Sequence, residues 1–209
     1  MNNELHTGPL GEASQYAEGY SPERLFPMPR AEGRLAVGLM ATPDCYGQDI
    51  WTGFEFSWLQ EKGKPEVAVL RLTVPAFCSH IVESKSMKLY LNGFAQTRFD
   101  SISAVKERLT EDLGSAFGGA VGVELLALAD SSLGVSELQG ECLDELDVEI
   151  TEYERNPNLL ALTARDGTDD GLVTQVLTTH LFRSLCPVTA QPDWASVLVS
   201  YTGAPIDRA

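Results

Sequence analysis

A thiol and a carboxylate seven residues apart flank a turn-forming run: Cys186 and Asp193 in Ser-Leu-Cys-Pro-Val-Thr-Ala-Gln-Pro-Asp-Trp, residues 184–194. An apolar strand pattern precedes the run and another follows it, so a nucleophile and a proton donor share one loop. A cysteine ordinarily titrates near pH ~8.5, and a neighbour or dipole must lower that value before the thiolate can attack at neutrality. Asp193 stands between Pro192 and Trp194, where partial desolvation is expected to favour the protonated acid. The plainer reading of the same residues is a buried thiol beside a turn aspartate.

A second run, Val82-Glu-Ser-Lys-Ser-Met-Lys-Leu-Tyr-Leu-Asn92, reads as a polar loop opening a helix. Met87, Tyr90, Leu91 and Phe94 recur at helical spacing and form its apolar face. Glu83 and Ser84 precede the first turn, where a carboxylate and a hydroxyl cap backbone N–H groups. In a functional reading, Glu83 accepts paired N–H groups of a heterocycle, while Lys85 and the free N–H groups of the helix start meet a phosphate.

Together the two runs resemble the signature of the 7-cyano-7-deazaguanine reductases, NADPH-dependent nitrile reductases of queuosine biosynthesis, a tRNA modification. The resemblance is carried by Glu83–Asn92 and Gln96-Thr-Arg-Phe99, by Gly47-Gln-Asp-Ile-Trp51 and Glu55-Phe-Ser-Trp-Leu59, and by Gln191-Pro-Asp-Trp194 after Cys186. It covers the chain from about Tyr20 to Arg208, in the order of the family's longer, two-module branch. It implies that 7-cyano-7-deazaguanine is the substrate and that Cys186 adds to its nitrile to give a covalent thioimide. Asp193 would then protonate the nitrogen, and two hydrides from NADPH would yield 7-aminomethyl-7-deazaguanine. By the same resemblance, Val82, Glu83 and Ser84 hold the substrate, while Ser84 and Lys85 hold NADPH. The chain has no Gly-x-Gly-x-x-Gly turn on which a dinucleotide would otherwise be placed.

The fold so implied is an α+β tunnelling fold (T-fold), an antiparallel sheet with a helix pair on one face, shared with GTP cyclohydrolase I. A homodimer is expected for the full-length protein. Two-module members continue past the Ile206-Asp-Arg208 point with helices, a His-Glu pair for substrate and an Arg-Gly pair for NADPH. None of these has a counterpart here, so the second module is expected to be incomplete and this chain alone inactive. Two other readings are a truncated, non-catalytic purine-binding T-fold protein and a hydrolase resembling GTP cyclohydrolase. The hydrolase is disfavoured because it needs a zinc site that the sequence does not supply.

Composition narrows the partners. With 30 acidic and 15 basic residues the 209-residue chain carries a formal net charge of −15, which argues against direct nucleic-acid binding. Positive charge is concentrated locally: residues 84–98 carry Lys85, Lys88 and Arg98 and no acid, whereas 130–155 carries nine Asp or Glu against Arg155 alone. Cys45, Cys78, Cys142 and Cys186 form no Cys-x-x-Cys pair, the start is polar, and no stretch is long enough to span a membrane. A reducing cytoplasmic setting follows. Cys78-x-His80 offers two donors where a structural zinc site needs four, so no metal is expected, and His180 reads as a packed or paired histidine on a strand.

The elements that must position these residues follow from periodicity. Residues 1–30 read as an N-terminal arm, and 31–129 as a first module holding the Glu-Ser-Lys-Ser motif. An acidic linker over 130–146 and the start of a second module over 147–209 complete the chain. In the first module, alternation predicts strands over Ile50–Leu59 (Ile50, Thr52, Phe54, Phe56, Trp58) and through Ala68, Leu70, Leu72 and Val74. Helices are predicted over 85–97 and 102–117. Asp100 or Ser101 caps the second, Ile102, Val105, Leu109 and Leu113 line its inner face, and Gly118-Gly119 stops it. A further strand runs through Val121–Ala127. The second module is predicted to hold strands from Val148, over Leu159–Ala164, over Val173–Leu185 and over Trp194–Tyr201, repeating the hairpin-then-helices order.

Overall fold

The computed structural model describes residues 19–130, 133–154, 156–163, 171–186 and 190–208. The first 18 residues of the expected arm, and residues 187–189 of the Cys186 loop, lie outside the described residues. The architecture is α+β with largely antiparallel sheets, and the chain divides between Leu133 and Gly134 into two compact units.

The first unit is built on a long hairpin, β2 (Gln48–Gln60) and β3 (Pro65–Pro75), with Gly63 at a φ of 86° in the turn. A short strand β6 (Gly122–Leu126) pairs antiparallel with β3, and β5 (Arg98–Phe99) runs parallel to the end of β2. Two strands that the sequence pattern did not suggest, β1 (Pro27–Pro29) and β4 (His80–Val82), pair with each other. A helix α1 (Arg30–Ala36) extends what had read as an arm. Arg30 and Arg34 anchor it, with Arg30 donating to the His80 carbonyl at 3.1 Å and Arg34 to the Ala76 carbonyl at 2.8 Å.

The predicted alternation along β2 breaks at a bulge. The register steps from Gly53↔Leu70 to Phe56↔Ala68, three residues on β2 against two on β3, and such an insertion reverses which side chains face inward. Trp51 therefore faces the core before the bulge and Phe56 and Trp58 after it, leaving Ile50 and Phe54 exposed. Against this sheet pack α2 (Ser84–Asn92), continued by a 3-10 turn over Gly93–Gln96, and α3 (Ile102–Phe117). Met87, Tyr90 and Phe94 meet Val105, Leu109, Leu113 and Phe117 in one buried cluster, each side chain contributing about 1.5–3 kcal/mol by leaving water.

Ser101, not Asp100, caps α3, its hydroxyl accepting from the Ala104 N–H at 3.1 Å. Gly118 ends the helix in the left-handed region at a φ of 69°, a conformation that a side chain would strain. Ile102, expected on the inner face, is exposed, while Val105, Leu109, Leu113 and Phe117 are buried.

The second unit is a three-stranded sheet in the order β7 (Glu141–Cys142), β8 (Val173–Leu185), β9 (Pro192–Gly203). β8 and β9 form the expected hairpin, while β7 lies parallel to β8. The strands predicted from Val148 and over Leu159–Ala164 do not form among the described residues, which end at Thr163 in the second case. Val148 and Ile150 are exposed and irregular, Pro157–Leu159 is a 3-10 turn, and Leu162 makes only an isolated bridge to Ile206. Alternation there reflected composition, and neither segment takes up the open edge of the β7–β8–β9 sheet. Among the described residues no α-helix belongs to this unit, and Leu177 is its one buried hydrophobic residue.

Candidate active site

The Glu83 motif sits where β4 turns into α2. Glu83 is the N-cap: one carboxylate oxygen accepts from the Lys85 N–H at 2.8 Å and the other from the Ser86 N–H at 2.7 Å. Ser86, fully buried, donates to the Glu83 carbonyl at 2.7 Å and accepts from the Phe26 N–H at 3.0 Å. Glu83 N–H in turn donates to the Phe26 carbonyl at 3.0 Å. The capping reading of Glu83 is therefore realised, and it alters the phosphate expectation. The N–H groups of Lys85 and Ser86 already serve Glu83, so an anion at this helix start must rely on side chains.

Those side chains have a place to act. Lys85 and Lys88 line an open cleft of about 660 Å³ between α2 and β2, with Phe54, Leu91 and Asn92 also on its walls. Two ammonium groups and the Glu55 carboxylate over a partly apolar wall suit a flat ligand that carries both negative charge and N–H donors, and the size falls within the ordinary range for small-molecule sites. The β2 bulge is what turns Phe54 toward this face, a consequence the alternation alone could not convey. Val82 is buried beside the motif and Glu83 is only 7% exposed, but each carboxylate oxygen retains a second lone pair.

Phe26, Tyr20 and Asp112 support the motif from behind. The hydroxyls of Tyr20 and Tyr90 donate to the same Asp112 oxygen at 2.6 and 2.8 Å, tying the segment before β1 to both helices. Burial, followed by the Asp112 hydrogen bond, pushes the Tyr20 phenol up to about 12 and raises that of Tyr90 further. Gly93 allows this close approach, since a Cβ there would lie 2.7 Å from the Gly19 carbonyl oxygen.

In the second unit the hairpin register determines how the thiol and the acid meet. Leu185 pairs with Pro192 and Ser184 with Asp193, and the Cys186 N–H donates to the Gln191 carbonyl at 2.8 Å. Continuing that register places Cys186 opposite Gln191, so Cys186 and Asp193 are diagonal neighbours on one face of the ladder. Such neighbours lie about 7–8 Å apart between Cα atoms, close enough for a small group held between them to touch both. The Ala190 N–H closes the loop onto the Cys186 carbonyl at 2.8 Å, with Ala190 at a φ of 55°. Asp193 is exposed and Trp194 is 60% exposed. Among the described residues of this unit nothing covers that face, so the desolvation expected around Asp193 is not found there. None of the four cysteines is in a disulfide. Cys78 is buried, which pushes its thiol up, and the half-buried His80 ring hydrogen-bonds to the Ser79 hydroxyl.

The candidate residues thus lie in two places: in the second unit a thiol just past the end of β8, diagonal to a carboxylate on β9, and in the first unit a capped helix start with two lysines on a cleft. Residues 16–125 match the family model described as nitrile reductase, 7-cyano-7-deazaguanine-reductase N-term, and the chain belongs to that family. It is 46% identical to the NADPH-dependent 7-cyano-7-deazaguanine reductases of Burkholderia orbicola (strain MC0-3) and Burkholderia cenocepacia (strain HI2424), over 202 residues in each case. The alignments take in 96% of this chain and 72% of each relative. The reductase of the same description from Burkholderia multivorans (strain ATCC 17616 / 249) is 45% identical over the same span.

Proposed function

We propose that this protein reduces the nitrile of 7-cyano-7-deazaguanine to the aminomethyl group with NADPH, with Cys186 as the covalent nucleophile. The observation that carries the reading is the hairpin register that sets Cys186 and Asp193 on one face of β8–β9. The Cys186 sulfur adds to the nitrile carbon as the C≡N bond becomes C=N, and Asp193 delivers a proton to the nitrogen, giving a neutral thioimide. NADPH, when bound, supplies the hydrides of the two successive reductions. Glu83, with the Val82 backbone and Ser84, receives the N–H edge of the heterocycle through the lone pairs its capping bonds leave over. Ser84 and Lys85 hold the cofactor, and Lys85 and Lys88 on the cleft support that assignment by their charge.

The two long hairpins, each opened by a 13-residue strand with a three-for-two bulge, support reading both units as modules of a T-fold. On this reading 31–129 is the first module, 130–146 a linker and 147–209 the start of the second. A homodimer in the cytoplasm accords with the family. No described helix is long and apolar enough to cross a membrane.

Incubation with the nitrile alone should raise the protein mass by one whole substrate, with the adduct on Cys186. Asp193→Asn should slow adduct formation by about 10²–10⁴-fold with no loss of melting temperature. An adduct that survives Cys186→Ala, or that maps to Cys45, Cys78 or Cys142, would sink the assignment.

A further inference from the structure

Three side chains outside the residues assigned above converge in the second unit. Cys142 on β7, Asp144 just beyond it and His180 on β8 each place one donor atom within 4.8 Å of the other two. The parallel pairing of Cys142 with Thr178 brings the two segments together, and the Leu143 N–H continues it to the Thr178 carbonyl at 2.9 Å. His180 lies in the β8 bulge, where the register steps from Thr179↔Val197 to Phe182↔Ala195, and bulges characteristically re-aim a side chain.

The donors are also oriented. The Thr179 hydroxyl donates to an Asp144 carboxylate oxygen at 2.7 Å, and the His180 N–H reaches both oxygens at 3.1 and 3.2 Å. His180 Nδ1 is held by the Ser196 hydroxyl at 2.7 Å, the kind of outer partner that fixes the ring of a ligating histidine. Cys142 and His180 are exposed and Asp144 is half-buried, so an ion can enter from solvent.

We propose that Cys142, Asp144 and His180 form a three-donor site for a borderline divalent transition metal of the zinc class, with a fourth position open to water. A thiolate and an imidazole select such ions over magnesium or calcium, which favour all-oxygen sets. Donors about 2.0–2.3 Å from zinc lie roughly 3.3–3.8 Å apart in a tetrahedron, so small rotations of exposed side chains, of about 1 Å at the donor atoms, close the site. Binding exchanges bound waters for the three donors, and the Cys142 thiol releases its proton to solvent as the sulfur–metal bond forms. The ion would pin β7 to the β8 bulge, in a unit where Leu177 is the one buried hydrophobic residue among those described.

The test is a Co²⁺ titration of the whole chain, reduced and first stripped with chelator, followed by absorption. One equivalent should bind with a thiolate-to-cobalt charge-transfer band that Zn²⁺ displaces and Mg²⁺ does not. Zn²⁺ should also raise the melting temperature of the wild type. Cys142→Ser should abolish the band while Cys186→Ser keeps it. His180→Gln should weaken binding about tenfold or more, and Ser196→Ala by about tenfold. The proposal is overturned by a band that persists in Cys142→Ser or vanishes in Cys186→Ser. Failure of the folded wild type, checked by circular dichroism, to take up one equivalent would overturn it as well.

Discussion

The two long hairpins invite comparison. β2–β3 and β8–β9 each begin with a 13-residue strand, and each has a bulge ending on a phenylalanine, Phe56 in one and Phe182 in the other. Phe56 is buried under α2 and α3, whereas Phe182 is 54% exposed. The same local design thus gives a packed core in one case and an open sheet in the other. What differs is the covering layer, since a sheet gains most of its stability by burying one face against another element. The first unit has spent its sequence on stability and on a capped helix start. The second carries the thiol just past the end of β8 and the acid on β9, where backbone hydrogen bonds supply most of the order.

The comparison can be broken most directly by truncating side chains in both units. Phe94→Ala, which removes a fully buried ring stacked on Phe99 and met by Tyr20 and Tyr90 edge-on and by Phe56 at a tilt, should cost about 3–5 kcal/mol in denaturant unfolding. Leu198→Ala, on the 42% exposed β9 position, should stay within about 0.5 kcal/mol. Similar losses from both would mean that β8–β9 acquires a cover in solution.

Glu83 sharpens the comparison on a smaller scale. Glu83→Ala removes both capping bonds to α2 and should cost about 1 kcal/mol of stability. It should also weaken binding of the nitrile while leaving NADPH affinity unchanged. Lys85→Ala should show the reverse binding pattern at unchanged stability. Losses of both ligands in step with the loss of stability would show that Glu83 acts only through the helix start.

The smallest effect at neutral pH belongs to the tyrosines on Asp112. Burial and the Asp112 hydrogen bond raise the Tyr20 phenol to about 12 from an ordinary value of 10.0, so folding favours the protonated form. That stabilisation is complete below pH 10 and is lost as pH rises toward 12, with Tyr90 acting in the same direction. Thermal melts should therefore be level through neutral pH and fall across that alkaline window. In Tyr20→Phe the fall should be shallower, and an identical profile would remove Tyr20 from the account.

The two longer helices, their caps and the two hairpins were legible from the chain alone, because each depends on residues within a few positions of one another, whereas α1 was not. The Met87–Phe94 and Val105–Leu113 spacings, the Ser101 cap and the Gly118 stop follow from local geometry, and so does the span Val173–Leu185. The Cys186 loop and the Glu83 run were likewise readable as motifs. Their neighbours were not. The two bulges, the pairing of β1 with β4, and the meeting of Cys142 and Asp144 with His180 depend on which distant backbone supplies the next hydrogen bond. A one-residue shift in register moves every side chain to the other face, and periodicity in a single strand does not carry that choice. The strand patterns around Val148 and Leu159 likewise produced no sheet: alternation within a segment does not supply the backbone that it would pair with, and only the tertiary structure decides that.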